Sequence, residues 1–121
     1  MERNIKSIRA FIGAFNFDES RNFYRDFGFK ENSVSPNMSY FEISGFGFYL
    51  QDAAVKEWVD NSMLFLEVDD LSKYHDFIKK KELEKNFKKV RVSDIQYNDW
   101  GNEFFVHDPS GILWHIGTFT S

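Results

Sequence analysis

The sequence predicts an α+β fold made of two tandem modules, and three observations carry that expectation. Short apolar runs of strand length alternate with amphipathic stretches of helical spacing. The order strand, helix, hairpin occurs twice along the 121 residues. The second occurrence can also be laid on the first at two constant offsets.

The first strand is expected over Ile8 to Phe15, which is apolar enough to be buried. Asn16 or Asp18 then caps a short helix with Phe17, Ser20, Phe23, Tyr24 and Phe27 along one side, and Gly28 stands where that helix would end. Two strand-like runs follow, Met38 to Ile43 and Phe46 to Gln51. The Ser44-Gly45 turn between them makes a β-hairpin.

The pattern then restarts. Leu64 to Val68 reads as a strand, Asp70 as a cap, and Leu71, Tyr74, Phe77 and Ile78 as one helix face. After a long polar connection, Glu103 to Val106 and Ile112 to Gly117 form a second hairpin, turned by Asp108-Pro109-Ser110-Gly111. An offset of 54 pairs Phe11 with Phe65, Asn16 with Asp70 and Phe23 with Phe77; an offset of 66 pairs Ser44-Gly45 with Ser110-Gly111 and Phe48 with Trp114.

Composition narrows the function. Aromatic residues make up 19% of the chain, and 15 of them are Phe. Such a surplus suits either an apolar ligand cavity or a Phe-rich core, and composition alone leaves both open. With no cysteine there is no disulfide, thiolate nucleophile or zinc–thiolate site, which fits a reducing cytoplasm, the expected location. No apolar run reaches the length of a membrane span, and Met1-Glu2-Arg3-Asn4 does not open a signal peptide, so no membrane partner is expected. A net charge of −4 argues against nucleic acid. The one basic run, Lys79, Lys80, Lys81, Lys85, Lys88, Lys89 and Arg91, is interrupted by Glu82 and Glu84 and reads as a solvated helix end.

Three segments resemble a known family. Arg9-Ala-Phe-Ile-Gly-Ala-Phe-Asn-Phe-Asp-Glu-Ser20 with Phe23-Tyr24 and Gly28-Phe29 is similar to the opening strand and helix of the vicinal oxygen chelate superfamily. Phe65-Leu-Glu-Val-Asp-Asp-Leu71 resembles the start of its second module. Trp100-Gly101, followed by Phe104-Phe-Val-His-Asp-Pro-Ser-Gly-Ile-Leu-Trp-His-Ile116, resembles its closing hairpin. That superfamily includes glyoxalases, extradiol dioxygenases and bleomycin-resistance proteins. The resemblance implies two βαβββ modules forming a curved mixed sheet with a concave cavity, the glyoxalase/bleomycin-resistance fold. It also implies one domain over 1–121, with modules at about 5–52 and 62–119, and a homodimer.

Catalytic members hold a divalent metal on the concave face. The resemblance carries their four ligand positions onto Arg9, Tyr49, Met63 and His115. Arginine repels a cation and a thioether is a poor ligand for hard ions, so no metal and no cofactor are expected here. His75 is expected on the solvent side of its helix, and His107 in a structural role at the Asp108 turn.

Strand alternation in the resemblance then sends Arg9, Phe11, Tyr49, Gln51, Met63, Phe65, Glu67 and His115 to the cavity, with Trp100 as a wall. Arg9 and His115 are the preferred functional pair: Arg9 for an anion, His115 as the candidate catalytic base or acid. Packing roles are the plainer expectation for Phe11, Phe65 and Trp58, and Glu67 could instead pair with Arg9. The function implied is that of the metal-free bleomycin-resistance-like branch: sequestering an aromatic or amphipathic small molecule, as in antibiotic resistance. The alternative is a glyoxalase-like lyase, isomerase or dioxygenase, metal-dependent or using His115 as general base.

Overall fold

Three residues past strand β1 (Ala10–Gly13), Asn16 opens helix α1 (Phe17–Phe27): its side-chain oxygen accepts the Glu19 N–H at 3.0 Å. Of the two candidate caps it is therefore Asn16 that acts. Asp18 lies in the first turn, where its charge meets the positive end of the helix and Arg21 at 3.1 Å. All five residues of the expected face are buried, and Gly28, at φ 122°, closes the helix. The computed structural model describes residues 4–53 and 55–120, so the reading made at Met1–Arg3 lies outside the described residues.

Strands β2 (Lys30–Ser35), β3 (Met38–Ile43) and β4 (Phe46–Gln51) complete the first sheet, in the order β1-β4-β3-β2. β1 runs parallel to β4, and the other pairs are antiparallel. The β3–β4 turn places Ser44 at φ 51° and Gly45 at φ 85°, the left-handed pair that suits a tight hairpin. β2 carries no apolar pattern because it is an exposed edge strand, which is why hydrophobic periodicity passes over it.

Helix α2 (Lys56–Asp60) leads into the second half. There β5 (Met63–Glu67) is followed by α3 (Leu71–Lys80), and Asp70 caps α3 by accepting the Lys73 N–H at 3.1 Å. The long polar connection is not a plain loop. It holds α4 (Leu83–Asn86), β6 (Arg91–Val92) and β7 (Gln96–Tyr97), the last two forming a broken edge against β8 (Gly101–His107). β9 (Leu113–Phe119) finishes a second sheet ordered β5-β9-β8-β6, with β5 and β9 parallel. The α+β class and the mixed pairing agree with expectation. The two modules each contribute one hydrogen-bonded sheet of mixed strands.

On α3, Leu71 and Ile78 are buried and Tyr74 is half-buried. Phe77, expected on the same face, is exposed, with the Lys81 ammonium 4.5 Å above its ring. His75 departs from expectation in the other direction: its Nε2 meets the Ser93 carbonyl at 2.9 Å and its ring sits 4.6 Å from that of Phe104. Helix α3 lies close enough to β8 to half-bury His75.

The halves share one aromatic core. Tyr24 and Phe48 from the first half surround Trp114 from the second, with centroids 5.9 and 5.5 Å from it. Eight Phe (17, 23, 27, 29, 41, 48, 87 and 104) are buried in that core, while Phe11, Phe15, Phe46, Phe65, Phe77 and Phe119 are exposed. The Phe surplus thus serves a large core and an apolar surface together. Trp58, expected to pack, is 67% exposed on the short α2.

Candidate functional site: the two open sheet faces

Each sheet packs one face on the core and leaves the other open, and strand alternation decides which residue goes where. In β4, Phe48 and Leu50 are buried while Gly47, Tyr49 and Gln51 are not. In β9, Trp114 and Ile116 are buried while Leu113 and His115 are half-buried on the opposite side. The alternation therefore describes both faces along β4 and β9, while Ala10, the first residue of β1, is exposed.

On the first sheet, the pairing register lines up Tyr40, Tyr49 and Phe11, with Met38, Gln51 and Gly13 in the next row. Phe11 stacks on Tyr49 at 4.8 Å. Arg9 lies over the Tyr40 ring at 4.0 Å and donates from Nη1 to the Tyr49 hydroxyl at 2.9 Å. That hydrogen bond holds the guanidinium more firmly protonated than usual, with Glu42 adding a weaker attraction. The Tyr40 ring reaches this place because Gly47 leaves room: a Cβ there would overlap the Tyr40 hydroxyl and the Phe41 carbonyl. Phe11 is 56% exposed, so it floors an open surface rather than packing in the core.

On the second sheet the register builds three rows across the strands. Arg91, His107, Leu113 and Met63 form the first, Phe105, His115 and Phe65 the second, and Gln96, Glu103, Gly117 and Glu67 the third. His115 is the centre of this face. Its Nδ1 lies 2.9 Å from Glu103 Oε1, and its Nε2 lies 3.5 Å from the Met63 sulfur. A carboxylate only accepts, so Nδ1 carries the hydrogen and Nε2 presents its lone pair to the weakly interacting thioether when the ring is neutral. Phe65 stacks parallel to the imidazole at 6.2 Å and Phe105 meets it edge-on at 5.2 Å. Gly117 lets the Phe65 ring lie flat, since a Cβ there would sit 2.9 Å from it. Phe119 continues the aromatic floor to Trp100 at 5.6 Å, placing Trp100 at the edge of this face.

Within one chain, the preferred pair Arg9 and His115 is split between the two sheets. β1 belongs to the first and β9 to the second, and no hydrogen bond or ring contact among the described residues joins them. For the same reason Glu67 does not pair with Arg9, whose hydrogen bond goes to Tyr49 instead. His107 does not bond the turn. The Asp108 carboxylate takes that role, accepting the Ser110 and Ile112 N–H groups at 2.8 and 2.9 Å. His107 instead lines an apolar groove of about 370 Å³ with Arg91, Val92, Phe105 and Leu113.

Sequence reasoning missed Glu103, Phe105 and Tyr40. Their strands were recognised, but the hairpin register that turns them toward His115 or Arg9 was not fixed. The four positions at which the resemblance would seat a metal do not fit a divalent ion. Arg9 and Tyr49 form a cationic pair on one sheet, His115 and Met63 lie on the other, and among the described residues no three acidic or imidazole side chains converge.

No family model matches the sequence, and no curated protein matches it. Solved structures do. The bleomycin-binding protein of bleomycin-producing Streptomyces verticillus, complexed with copper(II)-bleomycin, superposes with a TM-score of 0.78 at 17% identity, covering 100% of both chains. A lactoylglutathione lyase from Agrobacterium tumefaciens gives 0.70 at 17% identity over 96% of each chain. A glyoxalase/bleomycin resistance protein/dioxygenase from Alicyclobacillus acidocaldarius gives 0.67 at 20% identity, covering 98% of this chain and 96% of that one. At these identities the likeness is one of architecture, and it agrees with the order of strand, helix and closing hairpin: the chain has the glyoxalase/bleomycin-resistance fold.

Proposed function

We propose that the protein is a metal-free binder of an aromatic or amphipathic small molecule, working in the cytoplasm as a homodimer of single-domain chains, each made of two modules. The observation that carries this reading is the aromatic floor left uncovered on the sheet faces. Phe11, Phe65, Phe119 and Met63 are 56%, 44%, 53% and 64% exposed on ordered strands. Exposed apolar surface of this kind marks a ligand or partner site. In the proposed dimer the Arg9–Tyr49 face of one chain is set against the His115–Phe65 face of the other. Arg9 and His115 would then work on one ligand although a single chain separates them.

The test combines two measurements. Sedimentation at micromolar concentration is expected to give a dimer, and only monomer would remove the composite cavity. Titration with the uncharged fluorophore N-phenyl-1-naphthylamine is expected to give saturable binding that Phe65→Ala weakens about tenfold or more. Bleomycin belongs in the same titration because structural neighbours carry it. The Arg9 guanidinium opposes a cationic ligand, so weak or no binding of bleomycin is the expected result.

One observation favours a second reading, an enzyme using His115 as general base. Glu103 orients the imidazole and leaves Nε2 toward the open face, the arrangement of a carboxylate–histidine base. Turnover of an enolisable or epoxide substrate that His115→Gln abolishes while the dimer persists would move this reading ahead of the binder.

A further inference from the structure

The groove at the β6 edge of the second sheet has features that a plain aromatic pocket does not require. Its walls are the apolar side chains of Val92, Phe105 and Leu113, and its volume of about 370 Å³ is within the range of small-molecule sites. Phe105 is shared, facing the imidazole of His115 on one side and the groove on the other. The groove therefore continues the His115 face. Arg91 and His107, paired across β6 and β8, stand side by side along it.

Arg91 is held in place. Its Nη1 donates to the carbonyls of Lys88 at 2.9 Å and Val90 at 2.8 Å, which uses both hydrogens of that nitrogen. No other partner binds the guanidinium among the described residues, so the Nε and Nη2 hydrogens remain as a two-pronged donor fork. The wider charge agrees. Residues 79–91 carry seven Lys or Arg against two Glu, in a chain whose net charge is −4. Those two Glu are engaged: Glu84, which also lines the groove, lies 3.9 Å from Lys79, and Glu82 lies 3.5 Å from Lys85. Of that run, Arg91 and Glu84 line the groove, so Arg91 supplies its fixed positive charge.

We infer that this groove is the anion-recognising end of the ligand site, taking a carboxylate or sulfonate on the Arg91 fork and the attached flat apolar body against Phe105 and Leu113. The inference rests on the binding function proposed above and names its ligand class: a small amphipathic anion. A guanidinium fork engages two oxygens of one carboxylate or sulfonate at once, which a lysine cannot reproduce.

The experiment compares two probes with one apolar body, titrated into the full chain. One is 1-anilinonaphthalene-8-sulfonate and the other the uncharged N-phenyl-1-naphthylamine. The wild type is expected to prefer the sulfonate by about tenfold or more, the scale of a charge-assisted hydrogen bond. Arg91→Gln should remove that preference and leave the neutral probe unchanged, Arg91→Lys should restore only part of it, and Leu113→Glu should weaken the sulfonate strongly. If the neutral probe binds but the sulfonate has no advantage, or Arg91→Gln leaves the advantage intact, the anion site is overturned and the binding function stands. If neither probe saturates, both are overturned.

Discussion

Tyr24 and Asp108 lie 84 positions apart, yet the tyrosine hydroxyl donates to the buried carboxylate at 2.6 Å and accepts the Trp114 indole N–H at 3.0 Å. One hydroxyl thereby ties helix α1 of the first half to the turn and last strand of the second. Burial pushes the Tyr24 hydroxyl well above its ordinary range, helped by the adjacent Asp108, so it remains a donor throughout the usable pH scale. Tyr24→Phe would leave one oxygen of Asp108 and the indole N–H without a partner inside the core. We expect a loss of about 3 kcal/mol in urea unfolding, from about 1–3 kcal/mol for each stranded polar group. A loss below about 1 kcal/mol would show that water enters to replace the hydroxyl.

Asp108 also gives the fold an unusual acid response. Burial raises its carboxyl to about 6, despite hydrogen bonds from Tyr24, Ile112 and Ser110 that act the other way. An unfolded aspartate titrates near 3.9, so between the two values the folded protein holds a proton that the unfolded chain has released. The contribution of this group is therefore fully present below about pH 4 and lost as pH rises through about 6, amounting to about 3 kcal/mol. Unfolding free energies measured for wild type and Asp108→Asn between pH 4 and 7 should converge or cross, the wild type losing ground as pH rises. A constant difference across that window would show that the carboxyl titrates normally.

Glu103 is expected to set the tautomer of His115. With the carboxylate 2.9 Å from Nδ1, the neutral ring should carry its hydrogen there. Nitrogen-15 shifts of the imidazole should report protonated Nδ1 in the wild type and a shift toward protonated Nε2 in Glu103→Ala. An unchanged tautomer would mean that Glu103 does not orient the ring.

Gly47→Ala tests the stacked arrangement on the first sheet. The added methyl would overlap the Tyr40 hydroxyl and the Phe41 carbonyl, so the Tyr40 ring must move and Arg9 loses the surface it lies on. The expected cost is about 1–3 kcal/mol, as for other overpacked sites. Chemical-shift changes should be concentrated at Tyr40, Tyr49 and Arg9.

Much of the fold could be read from residue patterns because its local signals agree with one another. Asn16, Gly28 and Asp70 act at helix ends as their types predict, and the turns at Ser44-Gly45 and Asp108-Gly111 lie between the strands they were expected to join. What was not readable lacked a periodic signature. β2 is polar because it is an edge, and β6 and β7 are two residues each, too short for alternation to register. The site was legible by face but not by partner. Parity put His115 and Phe65 on an open surface, whereas the Glu103–His115 bond depends on the β8–β9 register, and the separation of Arg9 from His115 depends on which sheet each strand joins. His107 was misjudged because the residue beside it, Asp108, satisfies the turn alone.

The period-two alternation of β8 and β9 also has a consequence for how such a protein can change. Phe104, Val106, Trp114 and Ile116 hold the core, while Glu103, Phe105, His107, Leu113 and His115 make up the open face between them. Neighbouring codons thus answer to separate selective pressures, one for folding and one for recognition. A combinatorial library confined to those five outward positions would explore new ligands at little risk to the scaffold. The same separation would let a lineage exchange one chemistry for another while its architecture stayed the same.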